Sequence, residues 1–359
     1  MFTTHKDRLE WSQRLLQLQP GNLDCFNIYA LLLYDWQKRS NPAYQRYLRQ
    51  KKLFHQGIAS WREIPAVPQT LFKSCRLASH TPQQTHFTFL SSGTTGSHRS
   101  HHYLTSLDIY QAVSCAGAPI FTSSLNYPST LPDPIHLHFL TPSPKEAADS
   151  SLSRMFSFWM KKFGTDKSRF WVKDGKILLP ALRTALESAI ERQEPLGVLG
   201  PAFSFVHLLD HWKKNPLLLP SGSFLLETGG FKGRTREIRK PPFYLQLSSL
   251  MGVPDHNIWN EYSMCELSSQ AYAQGTHGKH HTPPWARVLV IDPTTNHEVK
   301  IGQCGLIRWI DLANVDSVLA IQTQDMARRT RDGFILLGRL PQLPLRGCSL
   351  NAEDFIPTI

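Results

Sequence analysis

The chain of 359 residues carries 39 Lys and Arg against 28 Asp and Glu, a formal charge of +11, with 41% hydrophobic residues, 25 Pro and 21 Gly. That composition supplies a buried core for one large domain or two ordinary ones, and it excludes a fibre or a disordered tail. No run of eighteen apolar residues occurs, and acids among the first ten residues with no apolar stretch beside them argue against a signal peptide.

Cysteines at 25, 75, 115, 265, 304 and 348 form no CxxC pair. Zinc-ligand spacing and a dense disulfide framework are therefore disfavoured, and a cytoplasmic chain with reduced thiols is expected. The cations are dispersed as short pairs, without a zinc finger, an RNP pattern or a basic DNA-reading helix, so no nucleic-acid partner is expected. A basic surface suits ATP, an acidic carrier or an acidic partner protein equally well.

Residues 4–19 and 24–39 have helical spacing; Asp24 is a candidate cap of the second, and Phe26, Tyr29, Leu33 and Trp36 lie in its apolar set. Asn41-Pro42 is expected to end that helix and 44–54 to form a short basic one, making 1–60 a helical cap. Two prolines force 64–73 into an extended path that either brings Lys73 to a site or simply links. Residues 86–90 read as a strand, 106–115 as a helix, 136–140 as a buried strand and 141–151 as a loop. Helices are expected over 153–163 and 180–193, with a strand and turn over 197–205. Strands alternating with helices predict an α/β fold. Later, 223–228 is a strand running into Gly229-Gly230, and 258–266 is another apolar-to-polar strand exit. Strands at 287–292, 305–312, 317–324 and 334–337 predict a small β subdomain near the C-terminus. The expected division is a cap over 1–60, a core over 61–340 and a short tail over 341–359.

Ser91-Ser92-Gly93-Thr94-Thr95-Gly96 offers two glycines and four hydroxyls with no bulky side chain. It is not a Walker A loop, because no Lys follows Gly96. Composition alone favours a solvated loop; the other reading is a cradle of N–H groups and hydroxyls for an anion such as a nucleotide phosphate. The exits at 91–96, 227–230 and 261–266 together tilt the balance, because ligands of open α/β sheets sit beyond the carboxyl ends of strands.

These stretches give the chain a clear resemblance to the acyl-protein synthetase (LuxE-type) family, a branch of the adenylate-forming enzymes that also includes acyl-CoA synthetases and phenylacetate-CoA ligases. The matching motifs are Ile64-Pro65 with Pro68 and Phe72-Lys73; 91–96 followed by Ser100 and His102; Glu227-Thr228-Gly229-Gly230-Phe231-Lys232; and Glu261-Tyr262-Ser263-Met264-Cys265-Glu266. Thr323 with Asp325, Gly333-Phe334 with Gly338-Arg339, and Arg346-Gly347-Cys348-Ser349 complete the set. They run in family order from about residue 60 to 350, and only their order makes them specific.

The resemblance implies an adenylate-forming large domain of α/β type that uses ATP and Mg²⁺ to activate a carboxylic, most plausibly fatty, acid. On it, Ser91, Ser92, Gly93, Thr94, Thr95 and Gly96 resemble the grip on the ATP phosphates. Gly229 and Gly230 resemble the turn that lies flat against adenine, where a Cβ would meet the base. Tyr262 resembles the aromatic that stacks on adenine, Glu266 the carboxylate that helps hold Mg²⁺, Asp325 the acceptor of the ribose hydroxyls and Arg339 the arginine that closes the core domain. Lys73, His102 and Lys232 are basic supports for the charge developed during adenylation. Twenty residues follow Arg339, too few for the lysine-bearing domain of most relatives; the LuxE-type branch shares this feature and is thought to load the acyl group on its own cysteine. Cys348, beside Arg346 and Gly347, stands where that thiol is expected. Ser263 and Cys265 depart from the Gly and Thr of many relatives. An acyl reductase or an acyl carrier is the expected partner; a phenylacetate-type acid–CoA ligase and a non-catalytic nucleotide- or acyl-binding scaffold are the alternatives.

Overall fold

The structure, a computed structural model, describes residue 2 and residues 4–92, 99–121, 134–230 and 235–339. The chain folds as two compact units, one of Met1–Gly117, Met264–Ser269 and His281–Ile359, the other of Ala118–Ser263 and Gln270–His280. The first unit opens with α1 (His5–Leu16), α2 (Leu23–Ser40), α3 (Pro42–Gln50), β1 (Val67–Pro68), α4 (Leu71–Ser74), β2 (Phe87–Leu90), β3 (His101–Leu104) and α5 (Asp108–Ala116). The second unit follows with β4 (His136–Pro142), α6 (Ser151–Phe163), β5 (Arg169–Lys173), β6 (Lys176–Ile177), α7 (Leu179–Glu191), β7 (Leu196–Pro201), α8 (Ala202–Trp212), β8 (Phe224–Thr228), α9 (Lys240–Met251) and β9 (Ile258–Tyr262). Met264–Ser269 belongs to the first unit, β10 (Ala271–Gln274) to the second, and β11 (Ala286–Ile291), β12 (Cys304–Asp311), β13 (Ala320–Arg329) and β14 (Phe334–Arg339) to the first again.

In the first unit, β11, β12 and β13 are antiparallel neighbours; β1 adds to β13 in parallel and β14 in antiparallel. β13 is longer than the strand expected over 317–324 because three strands draw on it. The N-terminal helices bond to the loop between β12 and β13. Gln37 Nε2 donates to the Asn314 carbonyl at 2.7 Å and Asn41 Nδ2 to that of Ser317 at 3.2 Å, while the buried Arg8 guanidinium pairs with Asp316 at 2.7 Å. Asn41 closes α2 and also caps α3, accepting from the Tyr44 N–H at 3.1 Å. α3 starts at Pro42, two residues before the expected start, because the first helical position needs no N–H. Residues 101–104, where no strand is expected from sequence, pair as β3 with β2 in the register Leu90↔His101.

The second unit is a seven-stranded sheet of order β10-β9-β8-β7-β4-β5-β6, in which β9, β8, β7, β4 and β5 are parallel. Its parallel strands are buried runs, β7, β8 and β9 without an exposed residue, as helices on a sheet's faces require. Phe139 stacks on Phe156 and on Phe170, each at 4.9 Å between centroids. α8 occupies 202–212 where a turn was expected, because a continuous apolar run has no period to separate buried strand from buried helix. Among the described residues no helix is long and apolar enough to cross a membrane.

Candidate functional site

The hairpin of β2 and β3 is pinned at its neck. The Ser91 N–H donates to the Ser100 carbonyl at 3.1 Å, the Ser100 N–H donates to Ser91 Oγ at 2.9 Å, and Arg99 Nε donates to the Ser91 carbonyl. Ser91 is half-buried and Ser92 exposed; Gly93, Thr94, Thr95 and Gly96 lie outside the described residues, as do Lys232 and Cys348.

From β3, His102 points into a fully buried setting edged by Phe72 and Phe89. Its Nδ1 lies 3.0 Å from the Cys265 carbonyl, which only accepts, so Nδ1 carries the proton and Nε2 the lone pair. Burial pushes its pKa down to about 4, so the ring is neutral near pH 7 and Nε2 is buried with no hydrogen-bond partner. At this position, expected to be a basic support, desolvation removes the charge and leaves an acceptor. Lys73 is exposed on α4.

Glu266 is buried, and its carboxylate accepts one hydrogen bond, from Gln69 Nε2 at 3.3 Å, with no cationic partner among the described residues. Gln69 gets there because β1, held extended by its prolines, pairs with β13 and the Gln69 N–H then bonds the Gln322 carbonyl at 2.9 Å. The segment bearing Glu266 is fixed from below by two buried residues that nothing in the sequence marks. Asp311 accepts from the Ser268 and Ser269 N–H groups at 3.1 and 2.8 Å and from Ser269 Oγ at 2.7 Å. Asn314 donates to the Glu266 carbonyl at 2.8 Å and accepts from Ser268 Oγ at 2.8 Å. Their partners stand more than forty residues away, beyond any local pattern.

Asp325 and Arg339 are brought together. They face each other in the register of β13 and β14, with Arg339 Nε donating to Asp325 Oδ1 at 2.9 Å. Asp325 is buried, whereas the arginine side chain is 66% exposed.

In the second unit, β8 ends at Thr228 and runs into Gly229, whose φ of +65° suits glycine. A Cβ built on the exposed Gly230 meets no described atom within 4 Å. Tyr262 ends β9, buried, with its ring 6.0 Å from that of His280 and steeply inclined to it. Behind these strand ends lies a polar network. Asn260 Nδ2 donates to Glu227 Oε1 at 2.6 Å, Tyr244 Oη donates to the same oxygen at 3.0 Å, and His280 Nε2 stands 2.6 Å from Asn260 Oδ1. Thr228 hydrogen-bonds the buried Glu261 carboxylate. Burial, opposed by the Lys240 charge and the Tyr244 and Asn260 hydrogen bonds, pushes the Glu227 carboxyl up to about 7.

That shift has a sign. Above pH 4.5, the value for an ordinary glutamate, the folded protein keeps a proton that the unfolded chain has released. Glu227 thus contributes stability in full below pH 4.5, and that stability is lost as the pH rises through about 7. The difference is of the order of 3 kcal/mol. Two buried histidines, His102 and His138, both pushed down to about 4, slope the opposite way below pH 6.5. The test is therefore differential. Glu227→Gln should gain on wild type in melting temperature between pH 5 and pH 8, and parallel profiles would refute the assignment.

The setting of Glu266 suits a hard cation. A hard cation bridged by phosphate oxygens needs few protein ligands, and Glu266 is a buried carboxylate with no cationic partner among the described residues. No cluster of three His, Cys, Asp or Glu suited to hold a metal occurs among the described residues.

The profile of a family described as acyl-protein synthetase, LuxE, matches residues 7–351. Among solved structures, a 2-hydroxyisobutyryl-CoA ligase in an open conformation with 2-HIB-AMP and CoA is 13% identical, over 93% of this chain and 79% of its own, with a TM-score of 0.64. The McyG A-PCP protein complexed with phenylalanyl-adenylate is 15% identical over 80% of this chain and 50% of its own, TM-score 0.50. A long-chain-fatty-acid-CoA ligase from Archaeoglobus fulgidus is 12% identical over 72% of this chain and 52% of its own, also with a TM-score of 0.50. At such identities the likeness is one of fold: a mixed α/β architecture of the adenylate-forming kind. None of the curated proteins compared matches the chain.

Proposed function

The chain belongs to the acyl-protein synthetase (LuxE) family, and from that premise we propose that it activates a carboxylic acid with ATP and transfers the acyl group to its own Cys348. A fatty acid is the substrate that the family's name favours, and hand-off to a partner such as an acyl reductase follows the transfer.

The observation that carries the reading is Glu266, a buried carboxylate with one amide hydrogen bond and no cationic partner among the described residues. Leaving such a charge unmatched is costly unless a ligand completes it. Glu266 would hold a Mg²⁺ ion, which would supply charge neutralisation for the triphosphate. The chain's own residues do the rest. In the first half-reaction a carboxylate oxygen of the acid bonds to the α-phosphorus, and the bond from that phosphorus to the bridging oxygen breaks as pyrophosphate leaves. Alignment and charge compensation serve this step, with no protein nucleophile. Asp325 accepts from the ribose hydroxyls, with Arg339 holding its other oxygen; Gly229 and Gly230 admit the base, and Tyr262 stacks on it. Neutral His102 offers Nε2 as an acceptor and holds the Cys265 carbonyl, which keeps Glu266's segment in place. In the second half-reaction the Cys348 thiolate attacks the acyl carbon and AMP leaves with the electron pair of the broken carbon–oxygen bond.

Acid-dependent ATP–pyrophosphate exchange across chain lengths and aromatic acids tests the first half; exchange with no acid would end the reading. The base site has a sharper test. Because the fold has room at Gly230, Gly230→Val should leave the melting temperature unchanged while raising the KM for ATP at least about tenfold. An unaltered KM would remove Gly230 from the site.

A further inference from the structure

Between Asp35 and Glu63 the chain carries seven Lys and Arg and no Asp or Glu, a net +7 in a protein whose formal total is +11. Arg39 pairs with Asp35 and Arg62 with Glu298. The other five, Lys38, Arg46, Arg49, Lys51 and Lys52, make no ion pair among the described residues, and all but the half-buried Lys38 are exposed. The first unit gathers them in one place. Phe54 lies under two of them, with Lys38 Nζ 4.9 Å and the Arg49 guanidinium carbon 4.7 Å from its ring centroid. That contact joins the end of α2 to α3. Arg46 and Arg49 are neighbours one turn apart on α3, and Lys51 and Lys52 close that helix.

A helix C-terminus favours a cation by its own dipole. That accounts for Lys51, but not for Arg46 in the middle of α3 or for the backbone at Lys52. Lys52 has a φ of +60°. Its N–H bonds the Arg49 carbonyl at 2.9 Å, and the Leu53 N–H bonds that of Leu48 at 2.8 Å. This is the helix-ending turn whose left-handed residue is ordinarily glycine, so the lysine adds charge where glycine would fit with less strain. The inner face of α3 is fastened toward Glu266. Tyr44 Oη and Tyr47 Oη donate to the carbonyls of Pro65 and Ala66 at 2.7 and 2.8 Å, in the segment that delivers Gln69 to Glu266.

We propose that the outer face of α3, together with Lys38 and the turn of Lys51 and Lys52, is a docking surface for an acidic protein. Complementary charge steers such a partner in and fixes its register. A lipid surface is the poorer fit: no large apolar side chain of residues 36–62 is exposed, so the patch has nothing to insert into a bilayer. A nucleic acid is poorer too. Tyr44, Tyr47 and Trp61 are buried and Phe54 lies under two cations, so no aromatic is offered to stack on a base. The docked partner rests on the helix that braces the path to Gln69. The surface stands whether or not the chain adenylates acids, since docking needs only the charge pattern.

The probe is a fluorescein-labelled, glutamate-rich helical peptide, titrated with the full chain at low salt and followed by anisotropy. Wild type should bind it saturably. Arg46→Gln, Lys51→Gln and Lys52→Gly combined should weaken binding at least about tenfold. Lys161→Gln, Lys213→Gln and Lys214→Gln make an equal charge change at exposed lysines of the second unit. That variant should weaken binding no more than about twofold. Lys52→Gly alone, which suits the left-handed backbone, should melt no lower than wild type while binding about threefold more weakly, which separates lost docking from lost folding. Equal losses in the two triple variants would reduce the effect to net charge and overturn the proposal. So would the absence of saturable peptide binding. Tighter binding of phosphatidylglycerol vesicles or of duplex DNA, abolished by the same α3 variant, would also overturn it and make the occupant a lipid surface or a nucleic acid.

Discussion

Cys348→Ala is expected to abolish the covalent acyl-enzyme while leaving acid-dependent ATP–pyrophosphate exchange essentially at the wild-type rate. The two half-reactions use different chemistry. Adenylation depends on alignment and charge compensation, whereas thioester formation requires a thiolate. Arg346 beside the cysteine favours the thiolate by its charge. Incubation with ATP, Mg²⁺ and a radiolabelled fatty acid should give a hydroxylamine-labile label on wild type and none on the variant. A label of equal size on Cys348→Ala would move the acyl group to another residue, with Cys265 the first to examine. Robust thioester formation with free coenzyme A in Cys348→Ala would make the protein an acid–CoA ligase. Tight ATP binding without pyrophosphate release for any acid would make it a scaffold.

Glu266→Gln is expected to separate stability from activity in opposite directions. The substitution keeps the shape and can still accept from Gln69 Nε2 through its amide oxygen, while it removes a buried charge that no described cation balances. In the absence of nucleotide the variant should therefore melt no lower than wild type. Exchange activity should fall by about 10²–10³, or roughly 3–4 kcal/mol, the usual scale for deleting one electrostatic contact to developing charge. Raising the Mg²⁺ concentration should recover part of the loss. A variant with lowered stability and normal activity would make Glu266 a structural residue and remove the observation on which the metal assignment rests.

Much of this was legible along the chain. The motif order from Pro65 to Arg339, the strand entering Ser91 and the strand exits at Gly229 and Tyr262 are all local features. Each is written by strand alternation, by glycine or by a run of apolar residues over fewer than ten positions. The proline-held path to Gln69 was legible too, though its destination was not. What escaped were elements defined by a partner. β3 exists because β2 pairs with it, and α8 is a helix although its apolar run lacks a period.

The sequence by itself determined the family and the α/β class and named the candidate site residues, because these reside in short segments whose types and order carry the information. Only the tertiary structure decided how those residues behave. Burial makes His102 a neutral acceptor and keeps Glu227 protonated to about pH 7. Strand register sets Asp325 opposite Arg339, and Asp311 and Asn314 reach back across the chain to hold the segment of Glu266. Desolvation and long-range hydrogen bonds depend on what packs around a residue, and its neighbours in sequence do not encode that.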